Sequence, residues 1–344
     1  DQSVLPKLGI APERVHESYL GRVPGAVRWR RFLMPWFADA VQTLDVGDAA
    51  LIVSSSHAVA KNVPHRSYQR HLAYIHSPLR YAHDLMPQYV AAVPRLLRPP
   101  IRKILRDLAV WDIASAQRVT RYVGNSHAVA ERIWHTYRRR AAVLPPPVDV
   151  AAIPLGAGPR GAHYAVVSRL VAYKRIDLAI RAAAEAGRRL VIVGEGPERG
   201  NLEALAASLG AATSVEFTGW ATDAQKYAVL GGARALLFPG EEDFGIVGVE
   251  ALACGTPVVA LGRGGMLDIL GAESSALLRG EVMAAPGGVL VGEQTAERLA
   301  AGIRLLETRG APAPEECRGL AEHFATPVFR RRVLELARRT LGRA

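Results

Sequence analysis

Short apolar runs alternate with longer stretches of mixed apolar and polar residues throughout the second half of the chain. The runs predict buried strands at Tyr164–Val167, Leu190–Val193, Val215–Phe217, Ala235–Phe238 and Val258–Leu261. Between the first three runs, residues 177–186 and 202–209 have the composition of helices. Alternation of this kind is typical of an α/β protein with a doubly wound parallel sheet, because helices then cover both faces of apolar strands.

The first half of the chain shows a sparser version of the same alternation. Strands are predicted at residues 49–56, 72–75 and 121–124, the first followed by a polar loop that contains Lys61. A stiff, proline-rich stretch, residues 144–148, precedes an expected linker. We therefore expect one domain over residues 1–150, a second over 151–326, and a basic helix within 327–344 that packs back on the first.

Composition narrows the class of protein. The 344 residues are 49% hydrophobic, which is enough for two domains with sizeable cores. No apolar run approaches the roughly 20 residues of a membrane-spanning helix, and no signal peptide is visible, so a cytoplasmic protein is the expectation. The two cysteines, Cys254 and Cys317, are too few for a disulfide framework or a cysteine-rich metal site.

The net charge of +11 is unevenly distributed along the chain. Up to Gly158 there are 21 Lys and Arg against 11 Asp and Glu, whereas the remainder is nearly neutral. Two basic and apolar segments, Val27–Phe37 and Arg95–Arg106, suit an anionic membrane surface. Ordinary helices with solvated arginines explain them equally well. No motif that reads RNA or DNA accompanies the charge, so nucleic acid is not an expected partner.

The segment Leu236–Pro257, LLFPGEEDFGIVGVEALACGTP, contains the strongest candidate chemistry. It predicts a strand, an acidic loop and a helix that begins near Gly245 and ends at a left-handed Gly255. Amides at such a helix start favour anions, whereas carboxylates favour hydroxyl groups. Glu242 in the loop and Glu250 one turn into the helix can therefore face one cleft, although surface acids at this spacing are also common.

Basic and imidazole side chains follow other predicted strands. Arg169 and Lys174 come directly after a strand and could hold a diphosphate, since arginine offers a bidentate fork and lysine a point charge. His57, His76 and Arg80 follow the first two strands, at the end where ligands of open α/β sheets bind. Packing or solvated roles are the alternatives for all five residues. No Asp-x-Asp pair is present, so no metal site is predicted.

The amino-acid sequence around these residues resembles that of retaining glycosyltransferases of family 4. GEEDFGIVGVEALACGTPVV is similar to the E-x7-E segment of that family, and VSRLVAYKRIDLAI to its donor-phosphate segment. VGEGPERGNLEAL is similar to the family's next strand-turn-helix. The first-half stretches SSSHAVAKNV, YIHSPLRYAHDL and YVGNSHAVAERI resemble bacterial mannosyltransferases of O-antigen and exopolysaccharide assembly. The resemblance implies the GT-B fold, two Rossmann-like domains facing a cleft, and a reaction without a metal.

Roles for individual residues follow from the resemblance. Arg169 and Lys174 would bind the diphosphate, Glu242 the sugar and Glu250 the ribose, with His76 near the sugar. The resemblance implies donor contacts also for Gly245, Ile246, Val247, Gly194, Arg80 and His57. It implies no cofactor: a nucleotide-sugar, most simply GDP-mannose, is the substrate, and a lipid-linked or polysaccharide acceptor receives the sugar.

The chain departs from the family in two places. Gly248 stands where proline is usual, and nothing before Ala49 resembles the family's first strand and glycine-rich loop. We therefore expect an N-terminally truncated chain of weak activity. The alternatives are an enzyme that uses UDP- or ADP-glucose, a sugar-nucleotide epimerase, and a non-catalytic protein that binds anions or membranes. A dinucleotide oxidoreductase is disfavoured, since no G-x-G-x-x-G follows a strand.

Overall fold

A computed structural model of the chain describes residues 11, 15–25, 33–271 and 280–342, which divide into two compact units. The first unit is drawn from Asp1–Asn125, Val129–Val143 and Val333–Ala344, and the second from Ser126–Ala128 and Leu144–Arg332. Residues 27–32, which hold the basic side chains of Val27–Phe37, lie outside the described residues. The membrane-binding role expected for this segment therefore stays a prediction.

The first unit contains a four-stranded parallel sheet whose strands follow chain order. Its strands are β1 (Leu51–Ser56), β2 (Arg70–Ile75), β3 (Arg121–Gly124) and β4 (Ala141–Val143). Helices α1 (Phe37–Gln42), α2 (Met86–Ala91), α3 (Arg98–Ala116) and α4 (His127–Tyr137) accompany them. The three strands predicted for this half are confirmed. Most of the basic segment Arg95–Arg106 forms the start of a much longer helix, α3. Its prolines do not interrupt this helix, because they lie in the first turn, where proline is tolerated.

A buried polar cluster in this unit corrects the expectation for Lys61. Its side chain is only 1% exposed, and its Nζ lies 2.5 Å from Oδ1 of Asp112 rather than in a polar loop. Asn62 Nδ2 donates to the same carboxylate at 2.8 Å and Tyr137 Oη at 2.8 Å, while His83 Nε2 lies 2.9 Å from it. A buried lysine needs such a partner, and the partner is 51 positions away, where no local pattern reveals it.

The second unit contains a seven-stranded sheet of order β10-β11-β9-β8-β5-β6-β7, in which only the β10–β11 pair is antiparallel. The strands are β5 (His163–Val167), β6 (Arg189–Val193), β7 (Val215–Gly219), β8 (Leu236–Phe238), β9 (Val258–Leu261), β10 (Val282–Ala285) and β11 (Gly288–Val291). All five strands predicted here are confirmed, within one or two residues at each end.

Helices cover this sheet and bury its apolar strands. They are α5 (Ile176–Glu185), α6 (Arg199–Ser208), α7 (Asp223–Gly231), α8 (Ile246–Ala253), α9 (Met266–Ile269), α10 (Ala296–Arg309), α11 (Pro314–Glu322) and α12 (Thr326–Thr340), the last of which continues into the first unit. One apolar cluster joins the strands to α8 and α11, and another joins them to α5, α6 and α10. The predicted α/β class with parallel sheets is therefore confirmed.

The C-terminal helix α12 is basic, as the sequence predicts. Its last residue, Thr340, accepts a hydrogen bond of 3.1 Å from Nε of Arg121, the first residue of β3. This contact lies within the first unit, to which Val333–Ala344 belong.

Candidate functional site

Four loops of the second unit leave the sheet at the same edge. They follow β5, β6, β8 and β9, which are parallel, and they carry residues 168–175, 194–198, 239–245 and 262–265. Open α/β sheets bind ligands beyond the carboxyl ends of their strands. This edge, called here the carboxyl edge, therefore brings together most of the residues that the sequence singles out.

Lys174 and Glu242 lie side by side at the carboxyl edge. Lys174 ends a 3₁₀ turn, Ala172–Lys174, and its ammonium forms an ion pair with Oε1 of Glu242; both side chains are partly buried. Arg169 lies on the same loop and is exposed, and its side chain has no hydrogen-bond partner within the described residues. The arrangement combines one positioned cation, one carboxylate and one guanidinium that is open to a ligand.

Two glycines allow the loops to approach this closely. A Cβ at Gly240 would lie 3.1 Å from the carbonyl oxygen of Lys174, and one at Gly264, where φ is +63°, would overlap the carbonyl oxygen of Glu242. The amide of Gly265 donates to that same oxygen at 3.0 Å. Backbone packing therefore fixes the position of Glu242, and any side chain at Gly264 would disturb it.

Helix α8 begins at the carboxyl edge, as predicted. Gly245 precedes it with φ +94°, and Gly255 follows it with φ +81°, in the left-handed conformation expected from the sequence. The amides of Ile246 and Val247 lie in the first turn, where an α-helix leaves its N–H groups without helical partners. Gly248 lies close to another helix: a Cβ there would lie 2.9 Å from Cε of Met266, the first residue of α9, and a small shift of this flexible side chain would relieve that contact.

Glu250, in the second turn of α8, pairs with a lysine that the sequence analysis missed. Nζ of Lys226 lies 2.8 Å from Oε1 of Glu250 and 3.0 Å from Oδ1 of Asp223. The Lys226 and Glu250 side chains are 17% and 12% exposed. Lys226 lies on α7, whose start could have been predicted from a capping box in which Thr222 and Gln225 hydrogen-bond each other's backbone.

The pKa of Lys226 reflects the compensation of its charge by its partners. Burial by itself would lower the pKa of Lys226, but its hydrogen bonds to Glu250 and Asp223 outweigh that effect and raise the pKa above its ordinary value. Lys226 therefore stays charged at neutral pH and holds Glu250 in place.

Gly194 follows β6 and shapes the neighbouring loop. Its φ is +133°, and a Cβ there would overlap the carbonyl oxygen of Ser168, so only glycine fits. Its amide already donates to the carbonyl of Gly219 at 2.8 Å. The residue consequently contributes to the carboxyl edge through close backbone packing, and its own N–H group is engaged.

The candidate residues of the first unit lie beyond the carboxyl ends of its strands β1 and β2. His76 Nε2 is 2.8 Å from Oγ of Ser55. The pKa of His76 is lowered mainly by burial and, to a smaller extent, by the charge of the neighbouring His57. His57 is exposed. Arg80 Nε donates to Asp84 at 3.1 Å. The structure therefore brings the two histidines near each other within this unit.

Two other features are absent from the part of the chain that the structure describes. No group of three or more His, Cys, Asp or Glu side chains there is arranged to hold a metal ion. No described helix is long and apolar enough to cross a membrane.

Comparison with protein families gives a match over the second unit. Residues 158–322 match the family described as Glycosyl transferases group 1. A 2-deoxystreptamine glucosyltransferase of Streptomyces kanamyceticus is 37% identical over 124 residues, 35% of this chain and 31% of the relative. A GDP-mannose-dependent alpha-(1-6)-phosphatidylinositol dimannoside mannosyltransferase of Mycobacterium tuberculosis is 41% identical over 115 residues, 31% of this chain and 29% of the relative.

A D-inositol 3-phosphate glycosyltransferase of Acidothermus cellulolyticus aligns with a longer part of the chain. The two are 32% identical over 244 residues, 62% of this chain and 52% of the relative. The chain thus spans between about a third and about half of the length of these curated relatives.

Solved structures resemble the chain over most of its length. A sucrose-phosphate synthase from Thermosynechococcus elongatus aligns with a TM-score of 0.68 at 19% identity, covering 91% of this chain and 80% of that one. The Anabaena protein HepE, solved with UDP, aligns with a TM-score of 0.63 at 17% identity, covering 97% and 88%. The expected fold class is therefore confirmed: the chain has the GT-B fold of glycosyltransferases, and its second unit matches their group 1 domain.

Proposed function

We propose that this protein is a glycosyltransferase that binds a nucleotide-sugar at the carboxyl edge of its second unit. The observation that carries the proposal is the ion pair of Lys174 with Glu242 beside the open guanidinium of Arg169. A sugar diphosphate presents two anionic phosphates next to hydroxyl groups, and this edge offers cations next to a carboxylate. The family match over residues 158–322 supports the same activity.

The two cations would also assist the reaction. Negative charge grows on the departing nucleoside diphosphate as the glycosidic bond breaks, and Arg169 and Lys174 would stabilise it as a metal ion does elsewhere. The first-turn amides of α8, at Ile246 and Val247, add a favourable dipole. We propose further that the reaction retains configuration, with the acceptor attacking the face that the nucleotide leaves.

The two glutamates would recognise hydroxyl groups rather than transfer protons. Glu242, held against Lys174, would bind the sugar, and Glu250, held by Lys226, would bind the ribose. Because the sugar changes shape in the transition state and the ribose does not, Glu242→Ala should slow transfer as well as weaken binding. Glu250→Ala should mainly weaken donor binding. Steady-state assays of kcat and of the KM for the donor measure both effects. If both substitutions raise this KM equally and leave kcat unchanged, these roles are wrong.

For the donor, we propose GDP-mannose. The GDP-mannose-dependent mannosyltransferase of Mycobacterium tuberculosis supports this choice, whereas the Streptomyces relative is a glucosyltransferase. A panel of GDP-mannose, UDP-glucose and ADP-glucose distinguishes them, with the shift in unfolding temperature as the first readout. The largest shift should come from GDP-mannose and should disappear in Arg169→Ala. A larger shift from a glucose donor would reassign the base and the sugar.

For the acceptor, we propose a lipid-linked or polysaccharide glycan at an anionic membrane surface. In the first unit, Leu96 is 92% exposed in the turn before α3, and Leu97, Val110 and Ile113 are exposed as well. Basic residues lie in the same turn and in the first half of α3, at positions 95, 98, 102, 103 and 106, and each basic residue near anionic lipid contributes about 1 kcal/mol. Vesicles with and without phosphatidylserine test this directly: full-length protein should float only with the anionic ones, and Leu96→Asp should weaken flotation.

The alternative function, an anion- or membrane-binding protein without catalysis, makes a different prediction. It would bind anionic vesicles without recognising nucleotides. Flotation that persists while GDP, UDP and ADP all fail to raise the unfolding temperature would favour it.

A further inference from the structure

A depression of about 240 Å³ lies in the second unit, at the opposite end of the sheet from the carboxyl edge. Arg234 lies just before β8, and Arg160 lies just before β5, so both mark the amino ends of strands. The remaining lining residues, Leu306, Glu307, Gly310 and Ala311, come from the end of α10 and the turn after it. Its volume equals that of roughly eight water molecules, at about 30 Å³ each.

The only carboxylate that lines the depression is already compensated. Glu307 accepts two hydrogen bonds from Arg188, 2.8 Å from Nε to Oε1 and 2.7 Å from Nη2 to Oε2, and a third of 2.9 Å from Oη of Tyr164. These bonds, with that from Arg188 the largest, lower the pKa of Glu307. Arg188 therefore neutralises this carboxylate, and the other two arginines retain their charge for a ligand.

Arg160 is fixed in place while part of its donor capacity is unused. Its Nη2 donates to the carbonyl oxygens of Gly255 and Pro312, at 2.8 and 2.6 Å. Its Nε is buried and has no partner, and its Nη1 has none within the described residues. Because Nε is buried, a ligand in the depression would meet Nη1, whose N–H groups are accessible and unused over the described residues.

Arg234 faces the same depression with its terminal nitrogens unused. Its Nε lies 3.5 Å from Oε1 of Glu307, too far for a strong hydrogen bond, and its side chain is 47% exposed. Over the described part of the chain, neither of its terminal nitrogens donates a hydrogen bond. The planar fork of arginine matches the oxygen geometry of phosphate.

We propose that this depression is a second anion site, separate from the carboxyl edge, that binds the phosphate group of a phosphate monoester. Arg160 and Arg234 would hold the phosphate oxygens, and Arg188, by neutralising Glu307, would remove the repulsion between that carboxylate and the phosphate. The site does not depend on the proposed glycosyltransferase activity, since none of its residues lies at the carboxyl edge.

Calorimetric titration of the full chain with inorganic phosphate tests the proposal. Arg234→Gln should weaken phosphate binding by about tenfold or more, because one charge-assisted contact is lost. Arg189→Gln is a matched control, because Arg189 is also an exposed arginine at the amino end of a strand, β6. It pairs with Glu216 at 2.7 Å and lies outside the depression. Arg169→Ala removes the open cation of the carboxyl edge. Arg189→Gln should bind phosphate as the parent protein does, and Arg169→Ala, which can lose only phosphate bound at the carboxyl edge, should keep the binding event that Arg234→Gln weakens.

Three results would overturn the proposal. One is the absence of phosphate binding to the parent protein, and another is unchanged affinity in Arg234→Gln. The third is loss of binding in Arg169→Ala, which would place the phosphate at the carboxyl edge instead. A second variant, Arg160→Lys, keeps the charge but loses the fork, and it should also weaken binding. Unfolding temperatures measured without phosphate confirm that each variant is folded, so that lost binding is not lost structure.

Discussion

Replacing Lys174 by methionine removes the positioned cation of the carboxyl edge while keeping a side chain of similar length. The Lys174 and Glu242 side chains are 15% and 25% exposed, so loss of their ion pair should reduce the free energy of unfolding by about 1–3 kcal/mol, between the values for surface and buried pairs. The variant should therefore be folded, and its defect should appear in ligand binding.

The expected defect in nucleotide binding follows from the contact that is lost. A charge-assisted hydrogen bond to phosphate contributes about 1.5–3 kcal/mol, so the Kd for GDP should rise by about 10- to 150-fold. The Glu242 carboxylate, left without its partner, would also repel the diphosphate by about 1 kcal/mol if they lie about 4 Å apart in a watery site. The double variant Lys174→Met/Glu242→Gln should therefore recover about fivefold of the lost affinity.

Calorimetric titration with GDP measures these affinities. Lys103→Met is the matched control, because Lys103 also pairs with a carboxylate, Asp107 at 2.6 Å, but on an exposed face of α3 in the first unit. Its affinity for GDP should equal that of the parent protein. If Lys174→Met binds GDP within twofold of the parent, the assignment of the diphosphate to this lysine is wrong.

Three further predictions concern stability. Lys226→Met leaves the partly buried Glu250 without its partner and should lower the free energy of unfolding by about 1–3 kcal/mol, between the values for surface and buried pairs. Urea unfolding measures this loss, and an unchanged midpoint would contradict the pairing. Burial is the main cause that lowers the pKa of His71 from 6.5 to about 4, so the free energy of unfolding should fall by about 3 kcal/mol as pH drops through that range. That fall should be absent in His71→Asn. Gly264→Ala should destabilise by at least about 1–2 kcal/mol because of its left-handed backbone, whereas Gly200→Ala, in a helix with open space around it, should be neutral or stabilising in the same thermal assay.

The fold could be predicted because its signals are local. Apolar runs marked the strands of both units, and a glycine followed by proline marked the end of α8 at Gly255. The placement of Glu242 in a loop and of Glu250 one turn into a helix needed only the sequence of that segment. Parallel strands then brought the loops of Lys174 and Glu242 to one edge.

The partners of these residues could not be predicted, because they are distant in the sequence. Lys226 lies 24 positions before Glu250, and Asp112 lies 51 positions after Lys61. Neither periodicity nor capping relates such positions, so a buried lysine and a surface lysine look alike in the sequence. The presence of glycine instead of proline at position 248 has no explanation in the structure, because the nearest side chain, that of Met266, is flexible at its tip.

A crystal structure of the chain with GDP would show whether Arg169 and Lys174 bind the diphosphate of a nucleotide-sugar. We expect phosphate oxygens within hydrogen-bond distance of the Arg169 guanidinium and of Lys174 Nζ, with the ribose on Glu250. A diphosphate bound away from both cations, for example beside Arg160 and Arg234, would contradict it.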